Sequence, residues 1–264
     1  SLMVWSLIIM VSLKYLMVVS HATNQGEGGM FALLSLLRSV PRAFTPRTSA
    51  GFTVVALMGA CLLYGDGMIT PAISVVSAVE GLEQLNPDLH PYVVPVSCCI
   101  LLGLFLVQSH GTARIGVAFG PIMVVWFATL AGLGLLHNGE HPQVLAAFSP
   151  HYGLEYSASH GRDSIVIMGM VLLAVTGCEA LYADIGHFGR PPLLRSWFSL
   201  VMPALLLNYM GQGAMILARP ELESARDFHL FFALVPQPLL VPVLILATVS
   251  TIIASQAMIT VVYS

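Results

Sequence analysis

Tyr64-Gly65-Asp66-Gly67-Met68-Ile69-Thr70-Pro71-Ala72-Ile73-Ser74 lies inside an apolar segment that runs from about Gly51 to about Leu82. A carboxylate in the middle of such a segment costs about 2.5–3.5 kcal/mol on insertion scales, which makes Asp66 a candidate functional residue. The glycines on either side of it let backbone, or an ion, approach closely. Pro71 has no N–H to give, so the sequence predicts a bend or an unwound turn there, with the carbonyl of Gly67 released from its helical bond. On a helix, Asp66, Thr70 and Ser74 stand at i, i+4 and i+8 and share one face. One negative charge with a row of hard oxygen donors suits a small hard cation better than a metal that prefers thiolate or imidazole.

Composition places this stretch in a membrane. Of the 264 residues, 57% are hydrophobic and only 9% charged, with a mean hydropathy of +0.86. Apolar runs of membrane length recur along the chain, the pattern of an all-α polytopic membrane protein. The short alternating segments of a transmembrane barrel are missing. A formal net charge of -3 and the lack of a basic face give no sign of nucleic-acid binding. Cys61 and Cys178 fall within apolar segments, and the adjacent Cys98 and Cys99 are poorly placed to bridge each other, so all four read as small packing residues. His137, His141, His151 and His160 sit in connecting loops without zinc spacing. The chain opens at Ser1 and stops at Ser264, both within apolar runs. The expectation is therefore one transmembrane transport domain, 1–264, truncated at both ends.

Seven spans are expected, at 2–20, 51–82, 92–108, 114–136, 164–185, 196–218 and 237–262. The first carries Lys14 and Tyr15 near its end. A turn at Asn24 to Gly29 and an amphipathic stretch at 30–40 follow it. Arg38, Arg42, Arg47, Arg114, Arg190 and Arg195 fall in loops 38–47, 109–114 and 186–195, which alternate with acid-bearing loops at 83–91, 137–163 and 218–236. The positive-inside rule puts the arginine-bearing loops in the cytoplasm.

A second informative stretch is Thr176-Gly177-Cys178-Glu179-Ala180-Leu181-Tyr182-Ala183-Asp184-Ile185-Gly186-His187-Phe188-Gly189. Gly177 permits a broken helix. Glu179 is a candidate proton carrier, because burial raises a carboxylate's affinity for a proton. Asp184 and His187 lie nearer the cytoplasmic end and read as interfacial. Glu27, beside a glycine turn, and Tyr182, Asp184 and Gln212 are residues for which a gating and a structural role both stand. Asn208, Tyr209, Gln212, Thr248, Thr251, Ser255 and Gln256 read as helix-packing polar groups, and Gly111, Gly116 and Gly120 as close-packing glycines. Acids in two discontinuous segments are what ion-coupled transporters use at mid-membrane.

Tyr64 to Leu82 resembles the signature of the KUP/HAK/KT potassium uptake family. So do Asn24 to Gly29, His110-Gly111-Thr112-Ala113, Gly177 to Gly189, Leu207 to Ala214 and Ala254-Ser255-Gln256-Ala257, in family order. The resemblance covers essentially the whole chain. It implies a LeuT-like inverted-repeat fold of the amino acid–polyamine–organocation superfamily, with this chain as helices two to eight; the family's first helix, later helices and cytoplasmic C-terminal region have no counterpart in it. It also implies K+/H+ symport by alternating access at the plasma membrane. K+ would bind at Asp66, Thr70, Ser74 and Thr176, and Glu179 or Asp66 would carry the proton. The implied partners are potassium ions, protons and the lipid bilayer, with a homodimer allowed, no nucleic acid and no resident cofactor. A rival on the same fold is a proton-coupled transporter of an amino acid or other organic solute. A channel and an intramembrane enzyme are more distant, the latter lacking a paired nucleophile or zinc motif.

Overall fold

A bilayer core offers no water to backbone N–H and C=O groups, so a chain this apolar has to close its hydrogen bonds within each segment, and helices do so. A computed structural model describes residues 1–24, 27–39, 46–84, 86–108, 113–139, 141–183, 185, 189–219 and 229–263. In chain order the helices are α1 (Leu2–His21), α2 (Met30–Ser39), α3 (Pro46–Glu80), α4 (His90–Gln108), α5 (Ala113–Asn138), α6 (Pro150–Ser159), α7 (Gly161–Ala174), α8 (Cys178–Ala183), α9 (Arg190–Ala218), α10 (Leu230–Ala233) and α11 (Leu240–Tyr263). Short 3-10 turns occupy several of the connections. Among the described residues the one β-type pairing is an isolated antiparallel bridge between Asn24 and Glu27.

Among the described residues, five stretches are long and apolar enough to cross a membrane: Leu2–His21, Thr48–Glu83, Phe119–Asn138, Arg190–Ala218 and Gln237–Ile259. The other two expected spans look different among the described residues. His90–Leu106 is a shorter apolar helix. The region 164–185 is not one helix, because α7 stops at Ala174 and α8 starts at Cys178. Gly177 between them adopts φ +92°, a left-handed conformation that glycine enters without a Cβ penalty.

An unwound turn at Pro71 is absent: α3 runs unbroken from Pro46 to Glu80 with the proline inside it. A proline removes one ladder bond, and in a long membrane helix the bonds on either side hold the run while nearby groups can serve the freed carbonyl. Pro203 behaves differently. The turns just before it, Trp197–Val201, are widened to π-type, which relieves the clash between the proline ring and the carbonyl four residues earlier. Val55, Met58, Leu62, Met68, Ile69 and Ile73 of α3 are exposed, a continuous apolar face suited to hydrocarbon rather than water. All four cysteines are free thiols, Cys178 buried and the others exposed.

The helices gather into two compact units. The first comprises Ser1–Ile69, Ser149–Trp197 and Met258–Ser264. Its polar ties are specific. Trp197 Nε1 donates to the buried Ser12 Oγ at 2.9 Å, and Arg190 Nε donates to Ser20 Oγ at 2.8 Å. Arg38 Nη2 reaches Thr53 Oγ1 at 2.8 Å, tying α2 to α3.

The second unit comprises Thr70–Phe148 and Phe198–Ala257. Its centre is the crossing of α5 and α9, where glycine meets glycine. A Cβ on Gly134 would lie 2.2 Å from the Leu207 carbonyl oxygen, and one on Gly211 would lie 2.7 Å from Gly134 Cα. Small residues let two membrane helices touch backbone to backbone, and polar side chains then bond across the gap. Asn138 Nδ2 donates to the Leu207 carbonyl at 3.1 Å, Asn208 Nδ2 to the Leu130 carbonyl at 3.4 Å, and Gln212 Nε2 to Asn208 Oδ1 at 2.7 Å. Beside this crossing, Leu133, Phe232, Val235, Leu240, Val243, Leu244 and Ala247 form an apolar cluster, with Trp126 packed edge-on against Phe231. At the end of α3 an ionic cluster ties three connections. His229 lies 4.0 Å from Glu80 and 3.9 Å from Glu83, and His90 Nδ1 lies 2.7 Å from Glu83 Oε1.

The expected packing glycines need one correction. Gly120 has open space where a Cβ would go, whereas Gly134 and Gly211 make the close contact. Gly111 lies outside the described residues, and the surroundings of Gly116 are not described. Gly134→Ala should therefore lower the thermal unfolding midpoint of the purified full-length parent protein, the overpacking costing about 1–3 kcal/mol. Gly132→Ala, two residues away on α5 and facing open space, should leave the midpoint unchanged or raise it by the better helix propensity of alanine.

Candidate functional site

The sequence singles out Asp66 and Thr176, which are 110 positions apart, and the first unit brings them to one cavity. This cavity has a volume of about 520 Å³, and Lys14, Tyr15, Met30, Leu62, Asp66, Thr176 and Tyr182 are among its walls. Each side chain arrives by a separate local device. Asp66 rides on unbroken α3 and is half-buried. Thr176 sits in the three-residue break between α7 and α8, where Val175 and Thr176 N–H groups bond back to Leu172 and Leu173 in a tightened last turn. The Thr176 hydroxyl donates to the Leu173 carbonyl at 2.7 Å, so its proton is engaged while its oxygen lone pairs remain able to face a cation.

Tyr182 comes from α8 and is held by its own hydroxyl, which donates to the Ala22 carbonyl just after α1. Behind it the backbone of Gly28 packs directly on the backbone of Tyr182: a Cβ on Gly28 would fall 2.1 Å from the Tyr182 carbonyl oxygen. The glycine turn around Glu27 is thereby pinned to α8. Asn24 and Glu27 exchange two backbone bonds of 2.9 and 3.0 Å, which close the turn, and the Glu27 side chain is exposed. Asn24 Nδ2 extends the anchor to Ser35 Oγ of α2 at 2.7 Å.

Other predicted residues are not among the described walls of this cavity. Thr70 and Ser74 are half-buried and follow Asp66 at i+4 and i+8 on α3, but they belong to the second unit and are not among the cavity walls. Gln212 also lies in the second unit, bonded to Asn208 at the α5–α9 crossing. The backbone of Glu179 opens α8 directly after the break, while its side chain is not described. Asp184 and His187 lie outside the described residues. Among the described residues no three His, Cys, Asp or Glu side chains converge as a metal site. Of the walls without a role assigned from sequence, Lys14 is the charged one. Lys14 lies inside the first span, and the rule that singled out Asp66, a charge within an apolar run, applies to it equally.

Comparison with known proteins agrees with the membrane architecture. A family model described as the K+ potassium transporter integral membrane domain matches residues 1–264. The chain is 52% identical over 264 residues to a probable potassium transport system protein Kup 1 of Syntrophobacter fumaroxidans, covering 100% of this chain and 39% of that protein. It is 51% identical to a protein of the same description from Legionella pneumophila strain Lens, and 50% identical to a probable potassium transport system protein Kup of Pseudomonas fluorescens. Each match covers 100% of this chain and 41% of the relative. The chain thus spans about two fifths of the length of these relatives. No solved structure matches it.

The contact of Gly28 with Tyr182 predicts a local effect. Gly28→Ala should push α8 away and speed amide hydrogen exchange in residues 178–183 by about tenfold or more, the signature of a weakened local unit. Gly65→Ala, with open space around its Cβ position, should leave that exchange unchanged.

Proposed function

The chain belongs to the potassium transporter family, whose integral membrane domain model matches residues 1–264, and from that premise we propose that the whole protein imports K+ across the plasma membrane by alternating access, driven by an inward-moving proton. The observation that carries this reading is the cavity of the first unit, whose walls include both Asp66 and Thr176, the latter in a broken helix. Broken helices are where transporters bind their ions, since unwound turns offer backbone carbonyls alongside carboxylates at mid-membrane depth.

The ligands proposed at the cavity are oxygen atoms throughout: the Asp66 carboxylate, the Thr176 hydroxyl and carbonyls of the break; the Thr70 and Ser74 hydroxyls are proposed from the i, i+4, i+8 pattern of the sequence alone. K+ is a hard cation and takes such donors without a dedicated cofactor. A proton on Asp66 or Glu179 changes the charge of the site, so proton and cation occupancy are linked through one free energy, and symport requires the loaded carrier to hold both. The fold proposed for the complete protein is the LeuT-like inverted repeat, with this chain as its helices two to eight. Protons, the lipid bilayer and a second copy of the protein are the proposed partners. A cavity of about 520 Å³ is roomier than one potassium ion needs. Family membership, and not the volume, supports the ion over an organic solute.

The test is Rb+ uptake at two pH values by cells lacking their own potassium importers and expressing the full-length parent protein. Uptake should rise at acid pH and fall by about tenfold or more in Asp66→Asn, the loss of a charged contact of roughly 1.5–3 kcal/mol. Glu179→Gln should flatten the pH dependence; survival of the full dependence would remove the coupling proton from that residue. Uptake indifferent to Asp66→Asn would move the cation site elsewhere, and inhibition by amino acids rather than by K+ would favour the organic-solute rival.

A further inference from the structure

His229 stands between two carboxylates with one ring nitrogen turned to each. Its Nδ1 lies 4.0 Å from Glu80 Oε2, and its Nε2 lies 3.9 Å from Glu83 Oε2. The other oxygen of Glu83, Oε1, is held by His90 Nδ1 at 2.7 Å. Acid and imidazole therefore alternate in the order Glu80, His229, Glu83, His90. They come from three parts of the second unit: the end of α3 with the 3-10 turn after it, the start of α4, and the entry to α10. Glu80, Glu83 and His229 are partly buried, whereas His90 is exposed. Asp88, exposed on the turn before α4, and the exposed Arg219 that ends α9 are the other charged groups described on these connections. From α10 and α11 the uncharged Phe232 and Leu244 close on Gly81, between the two glutamates.

A neutral imidazole has one N–H and one lone pair, so it can donate to only one of two carboxylates and turns a lone pair to the other. An imidazolium donates to both. The contacts of His229 are longer than the about 2.7–3.2 Å of an N–H···O bond, so they lie in ion-pair range without being hydrogen-bonded. We propose that His229 is a proton-operated clasp: on gaining a proton it draws in Glu80 and Glu83 and fastens α10 to the end of α3, and on losing it lets them go. Two links carry that change into the unit. His229 opens α10 through its own backbone, its carbonyl accepting from the Ala233 N–H at 3.2 Å. Leu82, between the two glutamates, packs against both apolar clusters of the unit, the one around Phe232 and Val243 and the one formed by Val75, Val79 and Val93. On the orientation expected from the arginine-bearing loops, this end of α3 faces outside, so the clasp closes as the exterior becomes acid. The device is separate from the cation site and does not depend on Asp66 belonging to it.

The test is amide hydrogen exchange of residues 230–235 in the purified full-length parent protein, at about pH 5.5 and about pH 8, either side of the ordinary titration of imidazole. Exchange is expressed as protection relative to an unstructured chain, which removes its intrinsic pH dependence. Protection in the wild type should be greater at the acid pH by about threefold or more, the scale of partly exposed ion pairs acting on a local unit. His229→Gln keeps a hydrogen-bond donor but takes no proton, and should show equal protection at both pH values. His90→Gln leaves the imidazole of His229 in place and should keep the rise. A wild-type rise below about twofold, or a rise that survives in His229→Gln, would overturn the proposal. So would a rise lost in His90→Gln and kept in His229→Gln, which would place the titration on His90. If His229→Gln does not accumulate, Glu80→Gln, which leaves the imidazolium a single carboxylate, should shrink the rise; an undiminished rise there would overturn the clasp as well. Because exchange is read without transport, failure of this inference is distinct from failure of the import reading.

Discussion

A charge carried on an apolar helix has to be answered at close range, by an opposite charge, by oriented dipoles or by cargo. Asp66 imposes that requirement on the first unit. The cavity it lines is walled also by Thr176, carried by a helix interrupted at Val175–Gly177, by a tyrosine fixed by its hydroxyl, and by a lysine from the first helix. Further anchors sit behind these. Gly28 has no side chain because the Tyr182 backbone occupies that space, and Asn24 and Glu27 close the turn that presents Gly28.

The second unit answers a different constraint. Its helices bury few charges and instead close on backbone contact between Gly134 and Gly211, ringed by the amides of Asn138, Asn208 and Gln212. Carboxylates appear at its edge, where Glu80 and Glu83 meet His229 and His90. The contrast is chemical. One unit keeps polar groups around a void, and the other uses them to eliminate voids.

Much of this was readable beforehand. Asp66 declares itself as a charge within an apolar run, and Gly177 as the residue that allows a helix to stop. Lys14 satisfied the same criterion as Asp66, and only its place near the end of a span disguised it. Proximity across long sequence separations is of another kind: nothing in the residues around Asp66 or Thr176 states that they face one cavity. Pro71 illustrates competition between a local rule and its context, since the surrounding helical bonds of α3 outweigh a single lost one. Gly120 and Gly134 look alike in sequence, both lying in an apolar helix, and differ only in whether α9 passes overhead.

The glycine crossing has a mechanical consequence. Side chains at an interface can change rotamer and so absorb small displacements, but two backbones in contact have no such compliance. α5 and α9 must therefore travel as one stiff strut around Gly134 and Gly211, and strain applied to either is transmitted instead of dissipated. The left-handed glycine between α7 and α8 marks the contrasting case, a place where the chain changes direction through its own backbone.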